Sequence, residues 1–160
     1  MWVRNGTNVE KARTAAERLA EERGYAMSQE NVEAMTAAIE RFNRGGEDDA
    51  VLDGLYDADA VFHSRADEPD TGVFRGRDAI REMMRMWRDT FDEFRFQVDE
   101  YIEAGDTLLM PGWTIVRARG STAEVREPYA WVVQMRDLKV VEVREYSTKD
   151  ECLKAVGLAE

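Results

Sequence analysis

At 160 residues the chain is long enough for one compact core and too short for two. Its net charge of −11 repels phosphate backbones and anionic lipid, so neither nucleic acid nor a membrane is expected as a partner. A single cysteine, Cys152, excludes an intramolecular disulfide, no apolar run approaches the roughly 20 residues that cross a bilayer, and the N-terminus lacks a secretory leader's apolar stretch. These features lead us to expect a cytoplasmic protein.

Residues 1–26 are expected to form a helical extension, with Val9, Ala12, Ala16, Leu19 and Ala20 along one face, Thr7 or Asn8 as the cap and Gly24 as the stop. Ser28 then reads as a second N-cap, and a domain spanning 27–160 follows. Val32, Met35, Ile39 and Phe42 recur at helical spacing until Asn43-Arg44-Gly45-Gly46. A shorter helix starts at Asp48 or Asp49 and buries Val51, Leu52 and Leu55. The segment Ala60-Val61-Phe62-His63-Ser64-Arg65 reads as a strand, and Asp67 to Gly72 as a turn. Val73-Phe74-Arg75 is briefly extended. A third helix carries Ile80, Met83, Met84, Trp87 and Phe91. Four extended segments follow, at about 94–103, 107–119, 123–135 and 139–147, separated by Gly105-Asp106, Gly120-Ser121 and Asp137-Leu138. A short helix over 149–156 closes the chain.

Helices followed by a run of strands imply an α+β architecture, a curved antiparallel sheet wrapped around about three helices and enclosing a conical pocket. Phe42-Asn43-Arg44-Gly45, Leu55 to Val61, Phe74 to Ile80 and Lys139 to Tyr146 occur in the order and spacing of a known group. Over residues 28–156 the chain resembles the SnoaL-like branch of the nuclear-transport-factor-2-like superfamily, related in fold to ketosteroid isomerase. Such a scaffold hosts many activities, so the resemblance speaks to fold first.

The only histidine, His63, falls where the resemblance places the general base of the ketosteroid isomerases. Their oxyanion donors fall at Trp131 and near Ala38, so neither donor is present. The resemblance to SnoaL-like polyketide cyclases places their catalytic carboxylate at Glu145 and their supporting histidine at Trp131. The catalytic candidates are therefore His63, as base or acid, and Glu145, as its partner. The scytalone dehydratases of the superfamily pair a tyrosine with a histidine, which Tyr129 or Tyr146 with His63 would imitate loosely.

Strand alternation from Glu145 puts Val141 and Val143 on the pocket side and Glu142, Arg144 and Tyr146 on the other. By the same logic Tyr129, Trp131 and Val133 share a face, as do Trp113, Ile115 and Arg117. Trp87, Trp113, Tyr129 and Trp131 are the expected substrate wall, in a pocket of roughly 300–1,000 Å³. Arg65 is the candidate clamp for an anionic group, with an ordinary loop network as its rival. No phosphate-binding glycine loop, GxSxG elbow, HExxH or CxxC is present, so no metal or organic cofactor is expected.

Two functions fit this pattern. One is a cofactor-independent enzyme that isomerises, cyclises or dehydrates a hydrophobic carbonyl or polyketide-like compound by proton transfer. The other is a non-catalytic domain for small-molecule binding or dimerisation. The resemblance implies a homodimer through the convex sheet face, where Val116, Val132 and Tyr146 are expected to be exposed.

Overall fold

The computed structural model describes residues 15–65 and 72–158, with side chains from residue 29 onward. The expected cap at Thr7 or Asn8, the apolar face of the N-terminal extension and the turn over residues 67–71 lie outside the described residues.

The first described element, α1 (Ala15–Arg44), is one continuous helix. It passes through Gly24 and Ser28, where a stop and a new start were expected. A single glycine costs a helix only about 1 kcal/mol relative to alanine, and the Glu, Arg and Ala around it are good helix formers. The helix ends where the pattern predicted. Gly45 adopts φ 79°, and its N–H donates to the Phe42 carbonyl at 3.0 Å. Met35, Ala38 and Phe42 are buried on the face that meets the sheet.

Helix α2 (Asp48–Leu55) buries Val51, Leu52 and Leu55, as its spacing predicts. It leads directly into β1 (Tyr56–His63), followed by β2 (Val73–Arg75) and α3 (Arg77–Thr90). Phe91, expected at the end of α3, instead opens β3 (Phe91–Val98). The single strand expected over 94–103 is divided, because β4 (Ile102–Ala104) is a separate element. Both pair with β5 (Thr107–Ala118), β3 through Val98↔Gly112 and β4 from Ile102↔Leu109. The break lies opposite Pro111, which has no N–H for the ladder. Its carbonyl accepts instead from the Asp99 N–H at 2.9 Å.

Strands β6 (Glu124–Arg136) and β7 (Lys139–Tyr146) and helix α4 (Lys149–Ala155) complete the chain close to the expected bounds. The β6–β7 turn is Asp137-Leu138, with φ 52° and 61°. Two positive φ values in a two-residue loop define the type I′ hairpin, whose twist matches that of the strands.

The strand order is β2-β1-β7-β6-β5-β3, with β4 beside β5. All pairs are antiparallel except β1 with β7, which run parallel. Pairing the β1 hairpin with the last strand completes the curved α+β sheet. Helices α1, α2 and α3 pack in its concavity. Between them lies an aromatic cluster of Phe42, Phe62, Trp87, Phe94, Phe96, Tyr129 and Trp131, in which Trp87 stacks on Phe94 at 5.1 Å and Phe96 meets Trp131 at 4.8 Å. Helix α4 covers part of the outer face, where Cys152 is buried against Leu109 and Ala130. Val132 and Tyr146, expected to be exposed there, are partly buried in that contact.

Two polar clasps tie the helices to this frame. Arg88 of α3 grips Asp48 with Nε at 2.9 Å and Nη2 at 2.7 Å, donates to the Phe42 carbonyl at 2.7 Å and lies 4.2 Å from the Phe42 ring centre. Asn43 mimics a neighbouring strand at the free edge of β3. Its Nδ2 donates to the Phe96 carbonyl at 2.8 Å, and its Oδ1 accepts from the Phe96 N–H at 2.9 Å. Among the described residues no helix is long and apolar enough to cross a membrane.

Candidate functional site

Trp131 and Glu145 are directly opposed on β6 and β7. Alternation turns both inward with Val133 and Val143, and the Trp131 indole N–H donates to Glu145 Oε2 at 2.7 Å. The Glu145 side chain is only 8% exposed. A carboxylate so enclosed needs charge-compatible partners. Arg65, just past the end of β1, supplies the second, with Nε 3.6 Å from Glu145 Oε1. Its Nη1 also donates to the Pro128 carbonyl at 3.2 Å, so the guanidinium spans from β6 to β7 over the mouth of the concavity.

Beyond the ends of β1 and β7 lies a cleft of about 440 Å³, lined by His63, Arg65, Arg144, Glu145, Tyr146, Glu151 and the hydroxyls of Ser64 and Ser147. Three residues singled out in the sequence, His63, Arg65 and Glu145, therefore border one polar space. Ser147 and Glu151 are additions. Their signal was present in Thr148-Lys149-Asp150-Glu151, a capping-box pattern. Thr148 caps α4 by accepting from the Glu151 N–H, and Glu151 Oε2 accepts from the Ser147 N–H at 3.2 Å.

The pairing expected between His63 and Glu145 is not present among the described residues. Phe62 takes the inner position on β1, with its ring against Trp87 and Trp131. His63, the next residue, therefore points to the outer face beside Arg144, its register partner. Its Nε2 stands 3.9 Å from Glu142 Oε1. Burial and then the Arg144 charge lower the imidazole pKa from its ordinary value, with a smaller contribution from Arg75, against an upward pull from Glu142.

Alternation along β7 also departs from expectation. The β6–β7 register shifts between Gln134↔Glu142 and Met135↔Val140, leaving Val141 as a bulge. Val140, not Val141, is therefore buried with Val143.

Trp87, Tyr129 and Trp131 stand in the inner aromatic cluster. Trp113 does not. It is opposed to Pro128, while Tyr129 is opposed to Gly112, so Trp113 lies on the other face. There its indole N–H donates to Asp99 Oδ2 at 3.1 Å, with Arg126 5.4 Å from its ring centre. Nor is the interior the open cone expected. The void among Met35, Phe42, Leu55, Met84, Trp87 and Trp131 amounts to about 20 Å³, because the aromatic rings fill the rest.

Tyr129 is 2% exposed, and its hydroxyl has no hydrogen-bond partner among the described residues. Burial raises the phenol pKa far above its usual value, with added repulsion from Tyr101, Glu145 and Asp99. Among the described residues no group of three or more His, Cys, Asp or Glu side chains could hold a metal ion.

A curved sheet wrapped on helices, with a buried carboxylate at its mouth, defines a cystatin-like cone of the nuclear-transport-factor-2 type. The chain belongs to the SnoaL-like domain family, whose model matches residues 32–143. Among solved structures it is similar to Bal32a, from a soil-derived mobile gene cassette, with 19% identity over 74% of this chain and 88% of that one and a TM-score of 0.65. TerC, co-crystallised with polyporic acid, is 18% identical over 80% and 98% of the two chains, with a TM-score of 0.64. A candidate SnoaL-like polyketide cyclase from Jannaschia sp. CCS1 is 16% identical over 82% and 94%, with a TM-score of 0.63. At these identities the likeness is one of fold. No functionally curated protein matches the sequence.

Proposed function

We propose that the protein is a cofactor-independent enzyme that moves a proton on a hydrophobic carbonyl or polyketide-like compound, with Glu145 as the proton-transfer group. The observation that carries this reading is a nearly buried carboxylate, held by the Trp131 indole N–H at 2.7 Å, at the junction of a polar cleft and an aromatic interior. In the step proposed, Glu145 removes a proton from the carbon beside the carbonyl. The C–H electron pair moves into the carbonyl as an enolate, and after the Glu145 carboxyl has exchanged its proton with solvent a proton is returned to carbon, or a leaving group departs. Arg65 supplies positive charge beside the carboxylate and at the cleft wall. His63 borders the cleft as a second proton carrier, with Glu142 as its neighbour. The candidate cyclase from Jannaschia and the polyporic acid held by TerC support an organic ligand of this kind.

The test is deuterium exchange at the α-carbon of a panel of aromatic ketones, followed by NMR. Exchange should fall at least a hundredfold in Glu145→Gln with ligand affinity nearly unchanged, whereas equal losses of both would remove the catalytic role. The aromatic filling of the interior favours a second reading, a domain that binds or associates without catalysis. On that reading the wild-type protein gives no exchange, and Trp131→Ala weakens binding. A homodimer is expected under either reading, and sedimentation of the purified chain as a monomer would exclude it.

A further inference from the structure

The outer face of the sheet carries a compact group of charges where β1 and β7 run parallel. His63 is registered with Arg144, and Val61, two residues earlier, is registered with both Arg75 and Glu142. Alternation therefore turns His63, Arg75, Glu142 and Arg144 to one face. Two arginines stand there against one glutamate, in a chain whose net charge is −11. The imbalance reaches the imidazole, since Arg144 lowers the His63 pKa more than Glu142 raises it and Arg75 adds to the lowering. A local positive field on an acidic protein favours an anion at this corner.

The cleft supplies room for one. Its 440 Å³ borders His63, Arg144 and Glu145 together, because the strands end there and both faces of β7 meet the same space. Among the described residues the Arg144 side chain makes one hydrogen bond, from Nε to Glu142 Oε1 at 2.6 Å. That bond orients the guanidinium and leaves the N–H groups of its two Nη atoms for a partner. A carboxylate matches this edge, with two oxygens for two parallel N–H groups. A doubly charged phosphate fits worse, since Glu145 and Glu151 border the same cleft and repel a second charge.

We infer that Arg144 is a ligand-binding residue whose guanidinium, beside His63, holds the carboxylate of an aromatic keto acid in the cleft. This rests on the proposed proton transfer by Glu145 and names the substrate class for it. Arg144 and Glu145 are consecutive on β7 and point to opposite faces, so a carboxylate anchored on the outer side leaves the carbonyl end of the ligand to reach Glu145 and the aromatic rings behind it. Arg65, on the cleft wall 3.6 Å from Glu145, offsets the repulsion between the two carboxylates.

The experiment titrates the wild-type chain and Arg144→Gln with 6-acetyl-2-naphthoate and with its neutral methyl ester, followed by ligand fluorescence. The Arg144 side chain is 48% exposed, so its replacement leaves the core intact. Wild type should bind the acid at least about tenfold more tightly than the ester at low salt, and the preference should shrink as ionic strength rises. Arg144→Gln should bind the acid no more tightly than the ester, with its ester affinity unchanged. Glu142→Gln, which removes the competing carboxylate, should bind the acid more tightly than wild type does. The His63 imidazole, the chain's only one, should rise in pKa when the acid binds and not when the ester does, because the bound anion offsets the Arg144 charge. Equal affinity for acid and ester in wild type, no binding of the acid, or a preference that survives Arg144→Gln would overturn the assignment. Arg144-dependent binding of the acid without exchange of its acetyl protons would support it while refuting catalysis by Glu145. Glu145-dependent exchange that proceeds equally well on acid and ester would do the reverse.

Discussion

Asn43 offers a quantitative test of how the helical layer is fastened to the sheet. β3 is an edge strand, and the Asn43 amide satisfies both backbone groups of Phe96 on its open side at 2.8 and 2.9 Å. Phe96 is itself buried in the aromatic cluster, so water cannot readily replace the amide. Asn43→Ala removes two hydrogen bonds, each worth about 1–1.5 kcal/mol net, and should lower stability by about 2–3 kcal/mol. For a domain of this size that corresponds to a fall in Tm of about 4–12 °C. Urea denaturation followed by circular dichroism is the assay. The midpoint should drop while the slope stays constant, because the surface exposed on unfolding is unchanged. Asn43→Asp separates the two bonds, since the introduced carboxylate still accepts from the Phe96 N–H but faces its carbonyl without a donor. It should be destabilised as well, and less so at low pH, where a protonated carboxyl can donate. A change of less than about 0.5 kcal/mol in Asn43→Ala would refute the clasp.

His63 predicts a pH dependence of stability. Its folded pKa lies below the ordinary value, so the unfolded chain takes up the proton first. Above about pH 6.5 both states are neutral and the residue contributes nothing. As pH falls through that value and below, stability is lost, and His63→Gln should lose less than wild type between pH 7.5 and 5. Parallel curves would contradict the assignment. The Asp137-Leu138 hairpin predicts a gain. Leu138 holds φ 61° on the surface, and Leu138→Gly should raise stability by about 1 kcal/mol in a chemical melt. No change would mean that the leucine's contacts fully offset its backbone strain.

The features legible in the sequence are those set by local pattern. Val32, Met35, Ile39 and Phe42 mark the buried face of α1, and Gly45 with its positive φ marks its end. Gly105, Gly120 and Asp137-Leu138 separate the long strands close to the observed bounds. Glu145 and Trp131 share a face because they are direct cross-strand partners, on the stretch of ladder from Ala130↔Tyr146 to Gln134↔Glu142 that runs without a shift. The errors fall where alternation is interrupted or lacks an anchor. Val141 is a bulge, so counting back from Glu145 names the wrong valine. The family position of His63 implies an imidazole in the pocket, whereas Ala60 and Phe62, the apolar alternates, turn it to the opposite face. The expectation that Trp113 joins the wall has no register behind it, since its opposition to Pro128 depends on pairing across a hairpin whose turn length the sequence leaves open. The packing of the interior was beyond reach, because spacing shows which rings face inward but not how tightly they meet.

The parallel contact between β1 and β7 bears on how the chain acquires its structure. His63 is registered with Arg144, across most of the chain, whereas β5, β6 and β7 are joined by short turns. The hairpins can close within microseconds of being made, but Phe62 has no sheet partner on that side until the last strand has been synthesised. Formation of the β5–β7 meander followed by late docking of the β1 hairpin is the order this connectivity favours. During translation the first half of the chain must therefore wait with an unsatisfied strand edge, and the rate of β7 release from the ribosome sets how long it is vulnerable to misassociation.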